Sequence, residues 1–474
     1  MSNAAGAGQP ATRKPEVGSE ARVNGVKGKG EYRRMDDRSR SVLSIDAVML
    51  IALSVASLWL GFAISAMVVT LVIVYVLLAT MAPAMPDELD QPRMRDRLLF
   101  SARLLIVTFI VLIAAIVPTG SNILLRRIDG PGMDAHDGLI QTEVSIDFLL
   151  HGKNPYAENY LNTPMADSRR NQPPETLVAL YHNAYLPFLF IGSMPFYLLS
   201  QATLGWFDER FVFILLFIGT MLLLPELVRR QRDKLLLLML FGLNLFFNHF
   251  LAEGRNDIVM LFGFVLLSLL LVRRHVTSSA LVLGCLIATK HPVLFFVPFY
   301  LVYLLPEEIN WKSLRTVLLQ IWPMLAVPLV FIVPFIIWDP GSFFDDTVSY
   351  IIGTSPTSYP IWGWGFSELL LAVHVIPTDT SPFPFGIFEA LFGLPLLVLL
   401  VIRQRRENTL QQVWIGCALL SLVVEYFSRF FNDNYVIFAL QLAVIAAFIL
   451  PARWHNPPMP TYDLPSSVAL ADGG

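Results

Sequence analysis

The chain has 474 residues, 55% hydrophobic and only 15% charged, with a mean hydropathy of +0.59, against about one-quarter charged in an ordinary soluble chain. A soluble globular protein is excluded, and a formal net charge of −3 gives no global basic field for nucleic acid. The length accommodates about a dozen apolar spans of roughly 20 residues with their loops.

Residues 1–41 lack the apolar core of a signal peptide and carry nine basic residues against five acids. They are expected to form a disordered tail, cytoplasmic by the positive-inside rule. Residues 42–97 are read as an N-terminal transmembrane hairpin turning near Gly61, followed by a polar cytoplasmic loop. A third span, about 98–118, leads to a long external loop over 119–181, the largest polar segment besides the tail and a natural place for function. Further spans are expected near 211–228, 235–252, 256–272, 279–290, 291–305, 315–338, 384–402, 410–428 and 434–451, ahead of a cytoplasmic tail at 452–474.

The 182–200 segment either crosses the bilayer or is interfacial or re-entrant. The second reading is preferred because RRQRDK (229–234), RRH (273–275) and RQRRE (403–407) then all fall on the cytoplasmic side. It requires 279–305 to be a helical hairpin turning at Lys290, His291 and Pro292. EGRND (253–257), the Lys290 turn, the 339–384 loop and RFFNDN (429–434) then emerge on the external face, where converging ionisable residues mark a candidate site. Cys285 and Cys417 lie in apolar runs and read as small buried hydrophobes.

The strongest local signal is MDAHDGLIQTEVSIDFLLHGKNPYAENY (133–160). Ile140, Val144 and Phe148 recur at four-residue spacing, so 138–151 reads as an amphipathic helix lying against the membrane. Asp137 stands at its start, either as an N-cap or as an acid/base group, with Asp134 and His136 as rivals. Gly152 ends the helix.

The order of a short span, an acid, an amphipathic juxtamembrane helix, LLHGKNPY and a Pro-containing apolar segment, HNAYLPFLFIGSMPF, resembles the GT-C superfamily of polytopic glycosyltransferases. The LLHGKNPY ending is most similar to the glycosyltransferase family 87 branch, whose mannosyltransferase members use polyprenyl-phosphate sugars. GRNDIVMLFGFVLLSLLL (254–271), LVLGCLIATKHPVLFFVPF (281–299), PFIIWDPGSFFDD (334–346) and SRFFNDNYVIFAL (428–439) extend the resemblance over about 98–451. In that superfamily an Asp, often followed by a second acid, stands about fifteen residues before such a glycine, and Asp137 and Gly152 are fifteen apart. Gly138 replaces the second acid here, Gln141 replaces a frequent tyrosine, and no Asp-x-Asp motif is present.

The resemblance implies an all-α GT-C-like bundle of about 12 transmembrane helices in the cell membrane, with its catalytic domain over 98–451 and its site on the external face. It implies transfer of a hexose, mannose foremost, from a polyprenyl-phosphate sugar to a glycan or lipid acceptor, with no cofactor or metal. Asp137 is the candidate base, a role worth about 10²–10⁴-fold. Arg255, Lys290 and Arg429, near expected external helix ends, are candidates for the lipid phosphate. His182, Asn256, Asp257, His291, Asp433 and Tyr435 are candidate substrate contacts. Lys290 interrupts an otherwise uncharged run and is the most informative cation, with lysine snorkelling as the bland alternative. Arg255 and Asp257 can instead pair with each other, and Asp345–Asp346 reads as two solvated acids rather than a divalent-metal site. A secondary transporter or lipid flippase, or a non-catalytic GT-C-fold subunit, is the competing function, although no internal repeat supports a transporter.

Overall fold

A computed structural model describes residues 43–55, 62–82, 84–89, 91–167, 177–306 and 310–450. The expectations for the two tails therefore lie outside the described residues. The fold is that of an all-α multi-pass membrane protein. Among the described residues, five stretches are long and apolar enough to cross a bilayer: Ala63–Glu88, Met94–Asp129, Arg210–Leu227, Trp311–Trp338 and Phe385–Arg406. A sixth exists if Gln231–Gly242 and Leu245–Glu253, bent by 50°, count as one broken span. The other apolar helices are 10–17 residues long, shorter than the spans read from hydropathy alone.

In chain order, α1 (Ile45–Ser54) and α2 (Phe62–Met81) pack beside the long α3 (Met94–Asp129). Buried Asp46 bonds both Arg103 and the Tyr75 hydroxyl, so one ionic knot ties these three helices inside the apolar core. Helix α3 continues for eleven residues beyond Pro118. The long loop therefore begins at Gly130 and not near 119. A membrane helix tolerates proline because neighbouring helices and local adjustments satisfy the backbone group it frees.

Helix α4 (Asp137–Leu150) falls where the apolar spacing placed it. Its surroundings differ from the expectation. Leu139, Ile140 and Val144 pack under Tyr160, Met165, Leu177 and Leu180 of the following loop, which carries the short α5 (Pro164–Asp167). Ile146 faces the opposite way, toward Leu186, Phe190 and Phe335. The helix is wrapped by protein on two sides, and its apolar stripe is wider than one lipid-facing face.

Helices α6 (Phe188–Leu204), α7 (Arg210–Leu223), α8 (Gln231–Gly242), α9 (Leu245–Glu253) and α10 (Asp257–Val272) follow. The expected turn within 279–305 is present: α11 (Val276–Ile287) ends before Lys290, and a 3-10 turn at His291–Phe295 leads into α12 (Val297–Leu304). Helix α13 (Trp311–Trp338) packs along α11. Then come α14 (Pro340–Phe344), a π-helical turn at Asp345–Ser349, α15 (Tyr350–Ile352) and α16 (Phe366–Ala372). The bundle closes with α17 (Phe385–Arg406), α18 (Leu410–Tyr426) and α19 (Asp433–Phe448), packed in sequence. Two short parallel strands, β1 (Trp362–Gly363) and β2 (Phe430–Phe431), pin the aromatic 358–366 segment to the turn between α18 and α19, Trp362 opposite Phe430 and Gly363 opposite Phe431. Cys285 and Cys417 are free thiols in the bundle.

Candidate functional site

The start of α4 is fixed from several directions. The His136 backbone N–H donates to the Glu253 carbonyl at 2.7 Å, joining α4 to the end of α9. Gly254, with φ +85°, turns the chain there, and a Cβ on it would collide with Leu139. Farther along α4, Glu143 receives both terminal nitrogens of Arg126, at 2.9 and 2.6 Å, and the Glu209 backbone N–H at 2.9 Å. Arg126 also reaches Asp208 at 3.0 Å, and Asp208 pairs with fully buried Arg210 at 2.8 Å. This network locks α4 to the ends of α3 and α7.

His136 caps α4, its Nδ1 accepting from the Gly138 N–H at 3.1 Å. Asp137 is the first helical residue. Its Oδ1 accepts the same N–H at 2.7 Å and lies 3.0 Å from His136 Nδ1. Asp134 is exposed. The departure at Gly138 has a steric reason, since a Cβ there would fall on the Tyr185 hydroxyl. Burial pushes the Tyr185 phenol up from its ordinary range, and the nearby charges of Asp137 and Asp257 push in the same direction. Tyr185 therefore keeps its proton and is available as a donor.

Asp137 faces a cavity of about 570 Å³ lined by the N-terminus of α4, the N-termini of α10 and α19, and the break between α11 and α12. His182, Arg255, Asn256, Asp257, Lys290, His291, Arg429 and Tyr435 line the same cavity. Asp433 reaches it through Arg255, whose Nη1 donates to Asp433 at 2.9 Å while its Nε donates to Glu253 at 2.8 Å. The Arg255 guanidinium also lies over the Phe250 ring at 4.3 Å, so Arg255 pairs with Glu253 and Asp433 rather than with Asp257.

Lys290 is no snorkelling lysine. Its side chain is largely buried, and its Nζ donates to Asp257 and Asn256, both at 3.2 Å. Asn434 adds a second bond to Asp257 Oδ1 at 3.2 Å, tying the start of α19 to that of α10. These bonds use two of the three Lys290 donors.

Arg429 behaves differently from the phosphate-binding role expected of it. It is 2% exposed, and its Nε, Nη1 and Nη2 donate to the carbonyls of Tyr359, Ser381 and Asp379 at 2.5, 3.0 and 3.0 Å. Its guanidinium holds the 359–381 loop against the end of α18.

The reading of Asp345–Asp346 as two solvated acids is also corrected. Asp346 is 2% exposed, accepts the Asn183 N–H at 2.8 Å, and lies 2.7 Å from His182 Nδ1. Nε2 of His182 lies 2.6 Å from the Thr357 hydroxyl, and the ring stacks on Tyr350. Burial raises the Asp346 carboxyl to about 6, although the bonds from His182 and Asn183 favour its charged form. His182, Asp345 and Asp346 offer ligand atoms within 4.8 Å of one another. The hydrogen bonds on both His182 nitrogens and both Asp346 oxygens already occupy most of that donor set, so the geometry fits an oriented histidine better than a cation site.

The sequence reading missed two further features. Gln141, unexpected beside the resemblance, donates to the His182 carbonyl at 2.6 Å and fixes that histidine from α4. Glu425, on the last turn of α18, lines the cavity at 6% exposure. An acid inside the apolar 410–428 run was the available signal for it. No family model, curated protein or solved structure matches this chain.

Proposed function

We propose that the protein is a membrane glycosyltransferase of GT-C type, which transfers a hexose, mannose foremost, from a polyprenyl-phosphate sugar to a glycan or glycolipid acceptor. In this reading the shorter apolar helices also serve as spans, bringing the total to about 12, and the cavity opens on the external face of the cell membrane. The observation that carries the proposal is the meeting of Asp137 with Lys290 and Arg255 at one cavity formed by the ends of several helices.

The chemistry divides between these groups. An Asp137 carboxylate oxygen takes the proton of the acceptor hydroxyl as its oxygen bonds to the anomeric carbon. The bond from that carbon to the phosphate oxygen breaks on the opposite side, so the anomeric configuration inverts and the lipid phosphate leaves with the electron pair. Lys290 has one ammonium hydrogen beyond its bonds to Asp257 and Asn256, and Arg255 presents a guanidinium at the cavity wall. Both are suited to charge developing on the phosphate. Tyr185, held protonated beside Asp137, adds a neutral donor.

The test is turnover of the purified Asp137→Asn variant in proteoliposomes. The variant is expected to fold normally and to lose about 100-fold or more of its transfer rate. A rate near wild type would remove Asp137 from the role of base.

A further inference from the structure

Glu425 differs from the paired acids beside it. Asp257 receives Lys290 and Asn434, and Asp433 receives Arg255. Both carboxylate oxygens of Glu425 are buried and accept no hydrogen bond among the described residues. Burying a carboxyl with its acceptor sites empty is costly, so a group left in that condition beside a cavity is poised for something that enters it. Lys290 lines the same cavity, but its bonds go to Asp257 and Asn256. A ligand entering the cavity can supply the donor that Glu425 lacks among the described residues. A carboxyl group presents two oxygens side by side, which suits the paired hydroxyls of a vicinal diol. Tyr435 lines the same cavity and offers a ring against which the apolar face of a sugar can rest.

We propose that Glu425 is a specificity-determining residue that accepts hydrogen bonds from adjacent hydroxyls of the hexose carried by the lipid phosphate. The assignment rests on the donor reading above and deepens it: Lys290 and Arg255 hold the phosphate, Asp137 serves the acceptor, and Glu425 reads the sugar.

The experiment measures binding of farnesyl phosphate and of farnesyl-phosphate mannose to the full chain in nanodiscs, for wild type, Glu425→Gln and Glu425→Leu. Wild type is expected to prefer the mannosylated lipid. The leucine variant should lose about 10- to 100-fold of affinity for that lipid, the size of one or two hydrogen bonds. Its affinity for bare farnesyl phosphate should stay within about two-fold of wild type. The isosteric glutamine, which retains one acceptor oxygen, should fall between the two and keeps the test open if the leucine variant does not fold. Removing an unpaired buried acid should leave the thermal midpoint unchanged or raise it, whereas a structural Glu425 would lower it. An unchanged preference for mannose in both variants, equal losses for both lipids, or no preference in wild type overturns the role of Glu425 alone. Failure of wild type to bind either lipid overturns the donor reading itself.

Discussion

Arg429 shows how a charged residue at a cavity can be committed to architecture. Its three bonds to loop carbonyls leave those carbonyls without partners if the side chain is removed, and Gly353, with φ +90°, lies where any Cβ would collide with the guanidinium. Arg429→Ala is therefore expected to cost about 3 kcal/mol or more of stability, read as a lowered thermal midpoint in detergent. Arg429→Lys should recover only part of that loss, because a point ammonium cannot span three carbonyls. A variant that loses transfer at an unchanged midpoint would return Arg429 to the phosphate. Asp346 gives a pH signature at the same scale, and it lies outside the long apolar spans. Its carboxyl titrates near 3.8 in the unfolded chain and near about 6 in the folded one. Between those values the folded state binds more protons, so the stability linked to this group is full below the lower value and is lost as pH rises through the upper one. Relative to Asp346→Asn, wild type should lose about 2–3 kcal/mol between pH 4 and pH 7. Unfolding midpoints of the two proteins across that range check it, and parallel curves would contradict it.

Among the elements, α4 was the most legible in the sequence, because a four-residue apolar spacing bounded by an acid and a glycine has few other readings. What covers it was not legible. The residues that bury Ile140 and Val144 come from a loop without regular periodicity, and the network at Glu143 joins residues up to 82 positions apart. The end of α3 was misplaced for a related reason. Proline is a strong stop signal in soluble helices but a weaker one in a membrane bundle, where adjacent helices compensate for the lost bond. Glu143→Ala tests what the network does for α4. The variant leaves Arg126 with Asp208 as its one carboxylate partner among the described residues and should lose about 3 kcal/mol of stability. The transfer rate should also fall, since α4 carries Asp137. A wild-type midpoint and rate would show that α4 is held by packing alone.

For the whole molecule, composition was enough to place the chain in a membrane, and the order of charges along it was enough to single out Asp137, Asp257, Lys290 and Tyr435. Their meeting at one cavity depends on how helix ends converge, which a one-dimensional pattern does not encode. Span count was legible only coarsely. Apolar runs of adequate length resolve into bent or shortened helices, such as the pair Gln231–Gly242 and Leu245–Glu253. Glu425 escaped notice because a single acid near the end of a span looks like a boundary until its surroundings are seen. The central claim, that this cavity transfers a lipid-linked sugar, is tested most directly in proteoliposomes loaded with a polyprenyl-phosphate hexose and envelope glycolipids as acceptors, followed by mass spectrometry. The account predicts hexosylated acceptor and bare polyprenyl phosphate appearing in equal amounts with wild type. Donor that crosses the bilayer intact, with no hexosylated product, would contradict it and identify a flippase instead.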